Sequence, residues 1–406
     1  MSRVMVVFED AFWRQLRPLT DLAPVPALAF AASSLAERLA RLAGLPLAAV
    51  TGRPDAIAAC RTMPRTTGLP EHGTAVCVNA AALPGPWLDA LAADDTPVRL
   101  TRGDRLVGAR LPVADVRAAL EGGAPGEFDR RLAGAVERPV DAVLLERPWT
   151  LVACNPDSIV LDLLRTVTAL DGDVHPSAVV LGAPVVVEAG ARVDPMCVLD
   201  ARSGPVVVRR GAVLAPHTVV VGPCVVGERT QLLGGVVGRS TFGPECRVAG
   251  EVEECVWQGY GNKRHQGFVG HSAIGEWVNL GALTTTSDLK NNYGVVRVVI
   301  DGREHDTGTR KLGALVGAHA KTGIGTLLPT GAVVGTGANL FGGGRFAPKA
   351  VPSFGWWDGE RMVEHRVDAF TGTARVALSR RGETAGAADE AAWRRLFDAT
   401  AAERTI

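Results

Sequence analysis

Aromatic residues are scarce, at 5% of the 406-residue chain, although apolar residues as a whole reach 47% and glycine alone counts 47. A single large interior filled by rings is therefore not expected. A core of stacked small and branched side chains, as in a solenoid, is favoured instead. Net charge is lacking too, because Lys+Arg and Asp+Glu stand at 43 each. That removes the electrostatic footprint of a protein binding nucleic acid or an anionic membrane. A few local Arg and Lys still suffice for a small phosphorylated ligand. No run of about 18 apolar residues occurs, so no membrane span is expected. The seven cysteines are odd in number and scattered, without a CxxC or Cys/His group at zinc spacing. Reduced, buried thiols in a cytoplasmic protein are the expectation. The apolar stretch Val4–Phe8 is ended by Glu9 and Asp10. It is too short and too soon acidic for a signal peptide, and it reads as a first β-strand.

Length favours more than one domain. Up to about residue 150, strand and helix signals alternate. A helix is expected from about Ala27 to Ala43, closed by Gly44, with strands near Ala75–Val78 and Ala142–Leu145. This is the pattern of an α/β layer domain. Asn155-Pro156-Asp157 then reads as a helix start, with proline at the first helical position. The helix Asp157–Leu170 would join the two halves.

After His175 the aliphatic residues recur every six positions. Val187, Val193 and Leu199 form one register, and Val208, Leu214, Val220, Val226 and Leu232 another. Val316, Leu328, Val334 and Leu340 keep the step, with Thr322 in the missing slot. A helix repeats every 3.6 residues and an isolated strand every 2, so neither gives six. Short strands joined by tight corners do: three segments make a triangular coil, and stacked coils bury an apolar column. A Val/Gly-rich sandwich would need five consecutive in-register positions by coincidence. The repeats break at the polar stretch 259–267 and in a long excursion from about Thr284 to Leu312. Loops that leave a solenoid usually carry function or meet a neighbouring subunit. Ala387 to Glu403 has helical character, with Trp393, Leu396 and Phe397 on one face, and is expected to pack on the body or at an oligomer contact.

The stretches GYGNKRHQGFVGHSAIGEWVNLGA (259–282), SDLKNNYG (287–294), GAHAKTGIGTLLPTGAVVG (317–335) and VPSFGWW (351–357) give a specific resemblance. They resemble the acetyltransferase half of the bifunctional N-acetylglucosamine-1-phosphate uridyltransferase/glucosamine-1-phosphate acetyltransferase family, in its alternative bacterial, sugar nucleotidyltransferase-like branch. FEDAFWRQLRPLT (8–20) and PWTLVACNPDSI (148–159) resemble that branch too. The resemblance implies an α/β nucleotidyltransferase-like domain over 1–155 and a linker helix over 156–170. A left-handed parallel β-helix acyltransferase domain over 171–365 and a helical tail over 366–406 follow. It implies a homotrimer with acetyl-CoA, as co-substrate, between neighbouring β-helices. The family's catalytic base falls on His265 and its accompanying acid on Glu251. Acceptor-site positions fall on Asn279, Asn292 and Tyr293, with Lys263 in the same motif assigned to substrate.

The residue chemistry agrees. N-acetylation needs an amine freed of a proton, and imidazole accepts one near neutral pH. A carboxylate on the other ring nitrogen would fix its tautomer. Lys321 and Lys349, with Arg345 as a third candidate, suit CoA phosphates. His271 and His319 are read as structural, with His319 the reserve base.

Three positions depart from the better-known pattern. Glu253 stands for a lysine near an acceptor phosphate, Phe268 for a tyrosine, and Arg239 is only the nearest substitute for a phosphate-binding arginine. In the amino-terminal half no Gly-rich loop follows the first strand. Thr20-Asp21-Leu22-Ala23-Pro24 and Asn79-Ala80-Ala81 replace runs that carry arginine in the branch. Glu9 and Asp10 would hold Mg²⁺ and Arg17 meet a phosphate if that half is active; capping the strand is the competing reading. The leading expectation is a CoA-dependent N-acetyltransferase acting on an amino sugar. The alternatives are a bifunctional enzyme that also forms UDP-N-acetylglucosamine or a related nucleotide sugar, and a non-enzymatic sugar-nucleotide-binding scaffold. A zinc β-helix of the carbonic-anhydrase type lacks its histidine cluster.

Overall fold

A computed structural model describes residues 2–121, 127–132 and 135–404. The chain divides into two compact units. The first holds the residues up to Leu16, Leu22–Leu28 and Ser33–Arg147; the second holds Arg17–Asp21, Ala29–Ala32 and the chain from Pro148 on. The expected boundary at residue 155 thus lies inside a helix, Pro148–Asp162.

The first unit is an α/β layer around a six-stranded sheet. Its spatial order is Leu47–Thr51, Arg3–Phe8, Thr74–Asn79, Arg105–Pro112, Val98–Arg102 and Val136–Pro139. The first three strands run parallel, and the fourth returns antiparallel to Thr74–Asn79. Met5 to Phe8 and Ala75 to Val78 are fully buried, as expected of central strands covered on both faces. The helix expected from Ala27 begins only at Leu35. There Ser34 accepts the Glu37 N–H while the Glu37 carboxylate accepts the Ser34 N–H, a reciprocal cap that fixes the start. Gly44, at φ 65°, closes it as read. Ala142–Leu145 is not a strand: it contributes a single bridge, Ala82 to Leu144.

In the second unit the six-residue step becomes a parallel β-helix. Ten strands stack in one continuous face, from Ala169–Leu170 to Ala350–Val351. Val187, Val193 and Leu199 are the three inward sides of one coil; Val208, Leu214 and Val220 lie directly on them in the next. The first column continues through Val226, Phe242, Trp257, Ile274, Val316, Val334 and Val351, all buried. The second runs through Leu232 and Val248 to Lys263, and later through Leu280, Thr322 and Leu340. Cys197, Cys224, Cys246 and Cys255 fill the same core, and among the described residues no cysteine forms a disulfide.

The helix Pro148–Asp162 corrects the expected Asp157–Leu170. Pro156 sits in its interior, where its missing N–H and its ring work against the helix. Asn155 does not cap; its buried side chain accepts from Ala31 N at 2.8 Å and Thr241 Oγ1 at 3.0 Å. A tertiary anchor has taken the residue that reads locally as a cap. The excursion carries a hairpin, Arg297–Ile300 with Arg303–Asp306, turned by Asp301-Gly302, both at positive φ as a tight hairpin turn needs.

One corner of successive coils places Tyr260, Trp277, His319 and Phe354 at positive φ. Tyr260 stacks on Trp277 at 4.1 Å and Trp277 on His319 at 6.2 Å. The helices Val367–Ser379 and Ala387–Ala399 cover this ladder. Phe370 and Trp393 meet His319 edge-on, and Leu378 packs with Tyr260 and Trp277. The tail therefore packs on the body, one of the two roles expected for it.

Candidate functional site

His265 lies on the loop between the short strands Asn262–Lys263 and Phe268–Gly270. Its side chain is exposed, and its ring has no hydrogen-bond partner among the described residues. It lines a cavity of about 460 Å³ together with Asn279 and Lys321, which come from the following coils in the same face. Asn262 Nδ2 donates to Asn279 Oδ1 at 2.7 Å, so Asn279 belongs to an asparagine ladder as well as to the cavity wall. Lys321 donates to the His319 carbonyl at 3.2 Å, and burial pushes its pKa down to about 8. Further coil residues, Arg247 and Arg264 among them, and the helix Val367–Ser379 complete the wall, the helix through Thr373, Val376 and Ala377, followed by Arg380 and Arg381. The sequence reading assigned that tail no chemistry.

Glu251 is exposed and pairs in register with Phe268; its carboxylate makes no bond to the His265 ring. Lys263 is 1% exposed and occupies an inward slot of the apolar column. Its Nζ donates to the carbonyls of Ala249 at 2.8 Å and His265 at 2.9 Å, and burial holds its pKa at about 8. It braces the His265 loop from inside rather than facing a ligand.

Asn292 lines a different hollow, of about 470 Å³, with Ser287, Lys290 and Phe346. Its side chain accepts the Gly294 N–H at 3.0 Å, and Tyr293 beside it is 67% exposed. Lys349 lies within the electrostatic reach of Lys290 and Arg297, and burial together with those cations lowers its pKa. Arg345 is bonded to Glu360 at 3.2 Å.

The arrangement expected around the base, a histidine held by carboxylates, occurs at His271. Its Nδ1 lies 2.7 Å from Asp288 and its Nε2 3.1 Å from Glu254. Burial pulls its pKa down, but the two hydrogen bonds outweigh that and hold it at about 9. Glu254 is held at about 2, chiefly by its bond to His271, and it also binds Arg239 at 2.6 Å. His319 is 5% exposed inside the aromatic ladder, so the reserve base is closed to substrate.

In the first unit, Glu9 receives Arg53 Nε at 2.9 Å and the N–H groups of Val25 and Arg53 at 2.7 and 3.1 Å. Asp10 receives Arg105 Nη2 at 2.7 Å, Asn79 Nδ2 at 2.8 Å and Phe12 N at 3.0 Å. Both carboxylates have the bonds of strand-end anchors. Among the described residues no group of three or more His, Cys, Asp or Glu is placed to hold a metal ion. As arranged, these residues do not fit Mg²⁺. The crevice beside Asp10 and Arg105 is too tight to admit a water molecule. Arg17 belongs to the second unit, where Asp21, Asp301 and Glu403 bind it.

Residues 5–168 match the model of a family described as sugar nucleotidyl transferase. A bifunctional sugar-1-phosphate nucleotidylyltransferase/acetyltransferase of Sulfurisphaera tokodaii is 37% identical over 93 residues, 23% of either chain. The bifunctional protein GlmU of Methanocaldococcus jannaschii is 28% identical over 198 residues, 47% of this chain and 41% of that one. The chain spans less than half the length of these curated relatives. Among solved structures, an Arabidopsis UDP-N-acetylglucosamine acyltransferase matches at 14% identity and a TM-score of 0.21, over 59% of this chain and 94% of that one. A score that low bears no weight for the fold.

Proposed function

We propose that this chain, which resembles bifunctional sugar-1-phosphate nucleotidylyltransferase/acetyltransferases, transfers an acetyl group from acetyl-CoA to the amine of an amino sugar. The observation that carries the reading is the cavity in which His265, Asn279 and Lys321 meet. Neutral imidazole takes the proton of the attacking amine. The nitrogen–carbon bond forms at the thioester carbonyl, the carbon–sulfur bond breaks, and the proton returns to the departing thiolate. Lys263, through the His265 carbonyl, keeps the base on its loop. Asn279 supplies an amide to orient the acceptor.

The working unit is a homotrimer in a cytoplasmic setting. Two observations support the trimer. The expected site residues of one chain are divided between the His265 cavity and the Asn292 hollow, as in a site completed by a neighbouring copy. Leu283, Ile324, Phe341 and Phe346 are large and apolar yet more than half exposed, which suits a covered face.

The test is thiol release from acetyl-CoA by the full chain, with glucosamine-1-phosphate, glucosamine and UDP-linked amino sugars as acceptors. Acceptor-dependent release that falls by about 10²-fold or more in His265→Ala is expected. No release with any of these acceptors from folded protein, or an undiminished rate in the variant, would sink the reading.

A further inference from the structure

The cations that the family resemblance places near an acceptor phosphate are missing or occupied. Glu253 stands in place of the lysine, and Arg239, the nearest substitute for the arginine, is bonded to Glu254 at 2.6 Å. Positive charge gathers instead around the His265 cavity. Arg247 and Arg264 come from two successive coils, Lys321 from a later one, and Arg380 and Arg381 from the end of the helix Val367–Ser379. Among the described residues, these five cations and His265 share the wall with no carboxylate.

The four arginines make no ion pair among the described residues. Glu245, whose charge reaches Arg381, is itself bonded to Arg229 at 2.5 Å. Arg381 Nε is buried without a hydrogen-bond partner. Burial lowers the Arg381 pKa, and repulsion from Arg247 and Arg380 lowers it further, so the charges act on one another. Like charges held together without counter-charge oppose folding, and they focus a field that attracts polyanions. Guanidinium groups offer paired N–H donors that match phosphate oxygens, which makes them suited to that ligand class.

We propose that the His265 cavity is a phosphate-ester site, in which Arg247, Arg264, Arg380 and Arg381 bind a ligand carrying at least two phosphate charges. The proposal deepens the acetyl-transfer reading by naming the substrate chemistry of the same cavity. The phosphates of acetyl-CoA and the phosphate or diphosphate of an activated amino sugar share that chemistry.

The experiment is calorimetric titration of the full chain with inorganic pyrophosphate, at low and at raised salt. Wild-type protein is expected to bind, more weakly as salt rises. Arg380→Ala/Arg381→Ala on the helix and, separately, Arg264→Ala on the coil are each expected to weaken binding tenfold or more. Arg375→Ala, on the same helix but bonded to Glu390, is expected to leave it unchanged. The two lesions lie on different elements, and a thermal melt of each variant separates lost binding from lost fold. Absence of binding to the wild type, or equal binding by both folded variants, overturns the proposal. Pyrophosphate binding needs no turnover, so failure of the acetyl-transfer assay leaves this result readable. Where transfer is seen, a raised KM for acetyl-CoA in the variants assigns the site to CoA, and a raised KM for the acceptor assigns it to the sugar phosphate.

Discussion

His265 and His271 lie six residues apart in one glycine-rich stretch, and their surroundings give them different roles. The His265 ring is exposed and has no hydrogen-bond partner among the described residues. The His271 ring has a carboxylate on each nitrogen, which keeps it a cation at neutral pH and ties the coil, through Glu254, to the excursion, through Asp288. A pH dependence follows. The folded pKa of His271, about 9, lies above the usual histidine value, so its contribution is complete below about pH 6.5 and is lost as pH rises through 9. Glu254 and Asp288 are shifted down, so their share is present above the usual carboxylate range and lost as pH falls. His271→Gln is expected to lower stability by about 3 kcal/mol near neutral pH, the scale for breaking a buried ion pair. It should also flatten the fall in denaturation midpoint between pH 6.5 and 9. An unchanged midpoint and pH profile would show that the clasp contributes nothing. The site's residues were legible to different degrees. His265, Asn279 and Lys321 were found through a motif, and they meet. Lys263 was read from the same motif as a substrate contact, although counting in sixes from Trp257 to Val269 puts it on an inward slot. The charge of a lysine reads as a surface group and masks that step. Arg380 and Arg381 left no signal, since two arginines at a helix end read as solvated until the fold brings the helix to His265.

At the scale of elements, the inward columns were legible because most coils repeat one demand, a branched aliphatic side chain at each sixth position. The corner ladder was not. Tyr260, Trp277, His319 and Phe354 occupy left-handed backbone, which costs a bulky residue about 1–2 kcal/mol, and no local rule puts rings there. Stacking between coils and cover from two helices offset that cost. The same competition moved helix boundaries. The Ser34–Glu37 cap sets the helix start against the apolar run before it, and Asn155 gives its side chain to Ala31 and Thr241. The ladder also bears on function, since the helix it holds walls the His265 cavity. Trp277→Ala is expected to destabilise the protein by about 3–5 kcal/mol, as for other buried large-to-small changes. Amide exchange in Val367–Ser379 should rise before exchange in the β-helix columns does. Equal acceleration throughout would mean that the tail is not held by the ladder.

At the scale of the whole molecule, the two compact units differ in how well their chemistry is equipped. The second offers a cavity lined by an unpaired histidine and five cations. The first matches a sugar nucleotidyl transferase family over most of its length, yet Glu9 and Asp10 at the end of its first strand are engaged in the fold. Nucleotidyl transfer needs N–H groups and cations around a triphosphate and a metal to neutralise charge. A 3₁₀ turn, Ala11–Leu16, follows the first strand where a Gly-rich loop would be needed. Arg53 and Arg105 are both committed to Glu9 and Asp10. Freeing either pair would leave a buried carboxylate unmatched, a cost of about 3–5 kcal/mol that a ligand would have to offset. The expectation is that nucleoside triphosphate, sugar-1-phosphate and Mg²⁺ yield no pyrophosphate above background, under conditions in which acetyl transfer proceeds. A coupled pyrophosphate assay on the full chain measures this for each of the four common nucleotides. Mg²⁺-dependent release that is lost on Asp10→Asn would reverse the conclusion, because it would require the Asp10–Arg105 pair to open for the metal.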